Sequence, residues 1–278
     1  MNIDDLIKQA LAEDVGDGDH SSLATIPAEA TGKAQLLIKE DGVVSGIDIA
    51  KKVFYFVDSK IEFEQFIKEG SSVKTGDIVF QVKGKSTSLL TAERLALNYM
   101  QRMSGIATKT RFYVDLLEGL NTTVLDTRKT TPLMRQLEKH AVKIGGGANH
   151  RFGLYDMIMI KDNHIDFAGG IDKAIDATHK YLKEKSKDLK IEIEVRDFNE
   201  LEQVLNHGQI DRIMLDNFSP DDIRKALQMI DGKFETEASG GITEQSIRSY
   251  AETGVDFISV GALTHHIRSL DMSLKAID

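Results

Sequence analysis

Residues 124–165 read VLDTRKTTPLMRQLEKHAVKIGGGANHRFGLYDMIMIKDNHI, and this stretch decides both fold and chemistry. Val124-Leu125 and Met157-Ile158-Met159-Ile160 are short apolar runs of the kind that form buried strands. Arg128-Lys129 follow the first run closely, and Lys161 follows the second at once. Between them, Pro132 and then Leu133, Leu137 and Ala141 at a spacing of four predict a helix that opens on proline. Gly145-Gly146-Gly147 is backbone able to approach a ligand closely, and Asn149-His150-Arg151 follows it. The stretch holds seven Lys/Arg against four Asp/Glu, a net +3 in a chain of formal charge −9. A basic cluster set against the ends of apolar runs in an acidic protein points to a site for a small, multiply charged anion.

Downstream the pattern repeats. Apolar runs recur at about 122–126, 157–161, 191–195, 212–216, 234–238 and 255–260, and helical patterns such as 199–206, 220–229 and 243–252 separate most of them. Strands alternating with helices predict parallel βαβ units. Each run ends on useful polar groups: Arg128-Lys129, Lys161-Asp162-Asn163, Glu194, Asp216-Asn217, Ser239-Gly240-Gly241 and Gly261-Ala262. In a β/α barrel the active site lies at the C-terminal ends of the strands. Six runs predict a shortened or open barrel, although the sequence pattern alone also allows a doubly wound sheet.

Upstream, Ile3, Leu6, Ile7 and Leu11 have helical spacing over 3–13. Asp14-Val15-Gly16-Asp17-Gly18-Asp19 is read as a polar turn, because the twelfth position from Asp14 is Thr25 and not the Glu that an EF-hand needs. Residues 32–90 are β-rich with glycine punctuation and a helix near 49–56; the Gly76-Asp77 turn lacks the lysine motif of a carrier module. Thr91 is expected to cap a helix through Met103, and Ser104-Gly105 to separate it from a second helix at about 109–117.

The composition is that of a globular protein, 41% hydrophobic and 28% charged. With a pI near 5.4 the chain is not expected to bind nucleic acid. It has no cysteine, hence no disulfide, thiolate metal site or cysteine nucleophile. No signal peptide or membrane-spanning run is seen, and the expected location is the cytoplasm.

Three kinds of group converge on the inferred strand-end face. Guanidinium forks suit paired carboxylates, and Arg128, Lys129, His150, Arg151 and Lys161 form a cation set. Glu194 and Asp216 sit at strand ends where carboxylates hold Mg²⁺ directly or through water. Alternation places Glu192 on the same side as Glu194, two residues deeper. Ser239-Gly240-Gly241 and Val260-Gly261-Ala262 are glycine turns, each read as leading to a helix N-terminus that binds phosphate. A phosphate cradle, a carboxylate-held metal and an arginine-rich acid pocket describe a phosphoribosyl donor meeting a di-acid acceptor.

The motifs LDTRKTTP (125–132), GGGxNHRxGLxD (145–156) and IKDNHI (160–165), together with Ala92-Glu93-Arg94, Gln101-Arg102 and Ser104-Gly105-Ile106-Ala107-Thr108, resemble the quinolinate phosphoribosyltransferase family over nearly the whole chain. The resemblance implies an α/β fold: an N-terminal α/β sandwich over 1–105, to which the tail 266–278 returns, and an incomplete, six-stranded β/α barrel over 106–265. It implies transfer from phosphoribosyl pyrophosphate to quinolinate with loss of CO2, giving nicotinate mononucleotide for NAD biosynthesis. By the same resemblance Arg102 from a neighbouring subunit, Arg128, His150 and Arg151 bind quinolinate. Lys129, Lys161, Glu194 and Asp216 serve the donor and its Mg²⁺, and Ser239, Gly240, Gly241, Gly261 and His265 hold the phosphate end. A site shared in this way implies a homodimer or a larger assembly of dimers. The segment His266-Ile267-Arg268-Ser269 departs from the family pattern, which has a small residue and a proline soon after His265. The rival readings are a molybdenum-operon paralogue with another acceptor and a non-catalytic phosphate sensor. The second leaves Lys161, Glu194 and Asp216 unexplained.

Overall fold

The structure, a computed structural model, describes residues 2–277. In chain order the first elements are α1 (Ile3–Val15), α2 (His20–Thr25), β1 (Thr31–Ile38), β2 (Gly42–Val43), α3 (Ile47–Val57), β3 (Glu62–Gln65), β4 (Ser72–Val73), β5 (Ile78–Lys85) and α4 (Ser86–Leu116). Then come β6 (Thr123–Leu125), α5 (Arg135–Ile144), β7 (Ile158–Ile160), α6 (Asp162–Ala168), α7 (Ile171–Lys185), β8 (Ile191–Val195) and α8 (Phe198–His207). The last are β9 (Arg212–Asp216), α9 (Pro220–Ile230), β10 (Glu235–Ser239), α10 (Ile247–Ala251), β11 (Phe257–Ser259), α11 (Ala262–His265) and β12 (Met272–Ile277). Two compact units result, one of Met1–Arg111, Thr130–Gly146 and Ala262–Asp278, the other of Phe112–Lys129 and Gly147–Gly261.

The first unit is built on an antiparallel sheet in the order β12-β1-β5-β3. Alternation in β1 turns Ala34, Leu36 and Ile38 inward. Leu36 lies with Phe54 of α3, Phe80 of β5 and the Ala96, Leu97 and Met100 face of α4. Phe54, Phe63 and Phe80 form a ring cluster with centroids 4.4–6.2 Å apart. The C-terminal strand β12 pairs with β1 from Lys33↔Ile277 to Ile38↔Met272, so the tail returns to the sandwich. In the acidic turn after α1, Asp19 caps α2, its carboxylate accepting from the Ser22 amide at 3.1 Å.

Two helix expectations are corrected. α4 is one helix of 31 residues, and Thr91, Ser104 and Gly105 lie inside it. The signals that imitate a break are packing devices. The Ser104 hydroxyl accepts from the Ser45 amide at 2.9 Å and donates to the Ser45 carbonyl at 3.1 Å. A Cβ at Gly105 would lie 2.2 Å from the Arg268 carbonyl oxygen, so glycine is there to let the 268–269 backbone approach. α5 begins at Arg135, not at Pro132, because Leu133 adopts φ +67 in a left-handed turn and is 68% exposed. Leu137 and Ala141 keep their place on its buried face.

The second unit holds six parallel strands in the order β6-β11-β10-β9-β8-β7. A doubly wound sheet would reverse its order at a switch point. Here strands follow one another from β7 round to β11, and the first strand β6 closes onto the last, which is the order of a barrel with one seam open between β6 and β7. The six positions read from the sequence each hold one of these strands. Local chemistry sets the helix starts: Asp197 caps α8, and Ser219 with Pro220 opens α9.

Gly105→Ala tests the packing account of α4. Helix propensity alone favours alanine by about 1 kcal/mol. The contact with the Arg268 backbone is expected to reverse the sign and destabilise by about 2 kcal/mol in urea unfolding. A variant as stable as the parent would refute the close approach.

Candidate functional site

Because the six strands run the same way, their C-terminal ends share one edge. Arg128 and Lys129 lie just beyond β6, and Lys161 directly follows β7. Glu194 is the penultimate residue of β8, while Asp216 and Ser239 end β9 and β10. Gly240-Gly241 follow Ser239, and Gly261 lies just beyond β11. The structure therefore brings all of these to one edge of the second unit, as does the loop carrying His150 and Arg151, whose Ala148 bridges to Leu125 beside β6.

Arg151 is half-buried, and its guanidinium donates to the Met157 carbonyl at 3.3 Å. Burial and the nearby charge of Arg128 both push its pKa down, while Glu192 and Asp156 oppose. Two guanidinium groups near enough to repel concentrate positive charge at one place, which suits an anion. The Asp156 carboxylate accepts from the amides of Phe152 and Gly153 at 2.6 and 2.8 Å, so the last residue of the GLxD motif shapes the loop that follows Arg151.

A second like-charged pair lies on the same edge. Burial and then the charge of Glu194 raise the pKa of Asp216, with Lys161 opposing. Lys161 reaches Glu194 at 2.6 Å. A carboxylate whose charge is opposed by a second carboxylate suits a divalent cation, and Mg²⁺ typically takes one or two carboxylates and fills its shell with water and substrate phosphate. Glu194 and Asp216 fit that pattern.

The phosphate turns differ from expectation in one respect. Gly240 and Gly241 have φ +97 and +61, but they lead into a turn, and the next helix, α10, starts only at Ile247 and spans five residues. Any phosphate donors there are amides of the turn itself. A Cβ at Gly240 would lie 2.2 Å from Asn217 Oδ1, so glycine is required where this turn crosses the end of β9. Asn217 is itself left-handed, with its amide donating to the Ser239 carbonyl at 2.8 Å.

Beneath the edge lies a charged array that sequence reasoning largely missed. His150 Nε2 is 2.9 Å from Glu192 Oε2 and 3.4 Å from Glu237 Oε2, and all three side chains are buried. Arg212 reaches Glu237 at 3.2 Å and Glu235 at 3.0 Å, and its guanidinium stacks 4.0 Å from the Phe257 ring. The other ring nitrogen, Nδ1, accepts from the Arg151 amide at 2.7 Å, while the His150 amide donates to Asp126 at 2.9 Å. Both ring nitrogens are thus engaged inside the protein. Arg212 opens β9, and Glu237 sits in the middle of β10; the available signal was a glutamate inside the run 234–238.

Burial opposes charge on the imidazole, but its contacts with Glu192 and Glu237 outweigh that and push its pKa up to about 9. A proton on Nδ1 would lose one neutral amide hydrogen bond, worth about 1 kcal/mol, against two charge-assisted contacts worth about 1.5–3 kcal/mol each. Burial pushes Glu192 up to about 7, with Glu237 adding to the effect and His150 and Arg212 opposing. Burial works against the charge of Glu237 as well, yet His150, Ser259 and Arg212 hold its pKa down.

Arg102 and His265 belong to the first unit. Arg102 is held rather than loose: its Nε donates to Glu138 at 2.7 Å and its terminal nitrogen to Thr131 Oγ1 at 2.7 Å and the Thr264 carbonyl at 3.3 Å. Glu138 is fully buried, and its second oxygen accepts from the Thr131 amide at 3.1 Å. His265 ends α11 with its ring edge-on to His266. The unusual 266–269 segment is fixed by the Gly105 contact and by the Leu270 amide, which donates to the Gln101 carbonyl at 2.9 Å.

Fold and site together define a β/α-barrel enzyme with a strand-end site for polyanionic substrates. The family description "Quinolinate phosphoribosyl transferase, C-terminal domain" matches residues 106–275, and its N-terminal counterpart matches 19–104. The chain belongs to the quinolinate phosphoribosyltransferase family. It is 45% identical to quinolinate phosphoribosyltransferase [decarboxylating] 1b of Nicotiana tabacum, over 97% of this chain and 81% of that protein. It is 44% identical to the chloroplastic nicotinate-nucleotide pyrophosphorylase [carboxylating] of Arabidopsis thaliana, with the same coverage. The crystal structure of NadC from Streptococcus pyogenes superposes with a TM-score of 0.94 at 40% identity, covering 99% of this chain and 97% of that one.

The array predicts a pH dependence of stability. A folded-state pKa raised from 6.5 to about 9 means that the charged ring stabilises the fold fully below about pH 6.5, and that this is lost as pH rises through about 9. The stability gap between the parent and His150→Gln, measured by urea unfolding, is expected to narrow by on the order of 3 kcal/mol from about pH 6 to about pH 10. A gap that stays constant would show that the ring is neutral throughout.

Proposed function

We propose that the strand-end site of the second unit joins quinolinate to phosphoribosyl pyrophosphate and releases pyrophosphate and CO2. The chain is a decarboxylating quinolinate phosphoribosyltransferase of NAD biosynthesis, a pentosyltransferase. The observation that carries the assignment of residues is the presence, on one edge, of two like-charged pairs of opposite sign. Arg128 and Arg151 call for a dianion, and Glu194 with Asp216 calls for a divalent cation.

In this reading Arg128 and Arg151 take the two carboxylates of quinolinate and aim its ring nitrogen at C1 of the donor. The N–C1 bond forms as the C1–O bond to pyrophosphate breaks, and the bonding pair leaves with pyrophosphate. Lys129, Lys161 and the turn at 239–241 face the negative charge of the donor; Gly261 and His265 are assigned to its phosphate end. Mg²⁺, held by Glu194 and Asp216 directly or through water, would supply charge neutralisation to the leaving group. The carboxylate next to the ring nitrogen then departs as CO2, leaving its electron pair on the ring carbon until a proton is taken up. Lys129 or Lys161 stabilises that carbanion. Protein groups thus act mainly by position and field.

Arg102 completes the acceptor pocket of a neighbouring subunit, so the working unit is at least a homodimer. Its fixed mounting on Glu138 and Thr131 suits an arginine that must reach outward at a set angle. No described helix is long and apolar enough to cross a membrane. The acidic, cysteine-free chain suits a cytoplasmic enzyme, although the Arabidopsis relative is named as chloroplastic.

Incubation with quinolinate, phosphoribosyl pyrophosphate and Mg²⁺, followed by mass spectrometry, is expected to yield nicotinate mononucleotide and CO2, with no product from nicotinate. Absence of product from folded protein would redirect the assignment to another acceptor. Lys129→Ala alone is expected to lose roughly 10²-fold in kcat. Mixing Arg102→Ala with Lys129→Ala chains under subunit exchange should restore about a quarter of parental activity, because half of the dimers then hold one intact site. No recovery after verified exchange would exclude sharing.

A further inference from the structure

The array under the strand edge is not used by the chemistry above, yet it is the most highly charged buried feature among the described residues. Glu192, His150, Glu237 and Arg212 make a continuous chain with links of 2.9, 3.4 and 3.2 Å, and it draws on β8, β9 and β10. Its far end is braced by Phe257 and Ser259 of β11. Its near end is the His150 ring, whose Nδ1 lies 2.7 Å from the Arg151 amide nitrogen, while the carboxylate of Asp126, just beyond β6, holds the His150 amide. Glu192 also acts through space on the Arg151 guanidinium, opposing the repulsion from Arg128.

Ordinary packing does not need this. Buried ion pairs seldom repay their desolvation in stability and are retained where they fix a geometry. What needs fixing here is the approach of two mutually repelling guanidinium groups before the acceptor arrives. The spacing of His150, Glu192 and Glu237 would also admit a metal ion. Arg212, however, already holds Glu237 at 3.2 Å, so that carboxylate has its cation from the chain itself.

We propose that Glu192, Glu237 and Arg212 form a buried mount that, through the His150 ring, positions Arg151 for the acceptor's carboxylate, so that His150 is a positioning residue and does not itself contact quinolinate. This rests on the acceptor assignment to Arg128 and Arg151. It makes Glu237, about one strand turn below the reacting edge, a determinant of acceptor affinity and leaves the donor side untouched.

Glu237→Gln keeps the shape and removes the charge. With parental turnover of quinolinate established first, which tests the underlying assignment separately, the variant is expected to raise the KM for quinolinate roughly tenfold to a hundredfold. The KM for phosphoribosyl pyrophosphate should stay within about twofold, and in an Arg151→Ala background Glu237→Gln should change the quinolinate KM by less than about twofold. An unchanged quinolinate KM in folded Glu237→Gln would overturn the proposal. So would equal rises in both KM values, or full additivity with Arg151→Ala, since either denotes general damage. If Glu237→Gln does not fold, Ser259→Ala, which removes only the hydroxyl bonded to Glu237, carries the same comparison with a smaller expected rise.

Discussion

Six strands that all run in one direction place six C-terminal ends on one edge, and the chemistry of this chain depends on that constraint. Parallel pairing needs a crossover for every strand, so successive ends arrive from stretches far apart in sequence. That is how Lys161, Glu194, Asp216 and Ser239 become neighbours on one edge although up to 78 positions separate them in the chain. Each residue sits within one position of the last residue of its strand, where the backbone is stiff.

The electrostatics follow from this crowding. Like charges are pressed together twice, guanidinium beside guanidinium and carboxylate beside carboxylate. Each pair already has a partial counter-charge within the protein, Glu192 and Asp156 beside Arg151 and Lys161 beside Glu194. Of the buried glutamates beneath the cations, Glu237 is the one whose partners favour its charge, while burial disfavours that of Glu192.

Much of this was legible in the sequence. The apolar runs marked all six barrel strands to within two residues at either end, because a buried parallel strand is short and rich in apolar residues. Charged residues at the ends of those runs marked the strand-end edge on which they are found. The array around Glu237 was not legible, since a glutamate inside a strand reads as one solvent-facing position unless its partners are known, and His150 is 87 residues away in sequence. The continuity of α4 was hidden because Gly105 serves tertiary packing and local propensity cannot register Arg268. The turn at Leu133 was hidden by a residue type that rarely takes positive φ. In each case a distant partner overrode a local rule.

The open seam of the barrel has one more consequence. A sheet that does not close leaves two strands with unpaired edges, and such edges can template pairing between molecules. Here both of those strands, β6 and β7, are only three residues long. The outer side of β6 is also already occupied by Ala148, whose amide donates to the Val124 carbonyl and whose carbonyl accepts from the Asp126 amide. A foreign strand would find too few ladder groups to register on, so the missing strands cost the protein little in its resistance to aggregation.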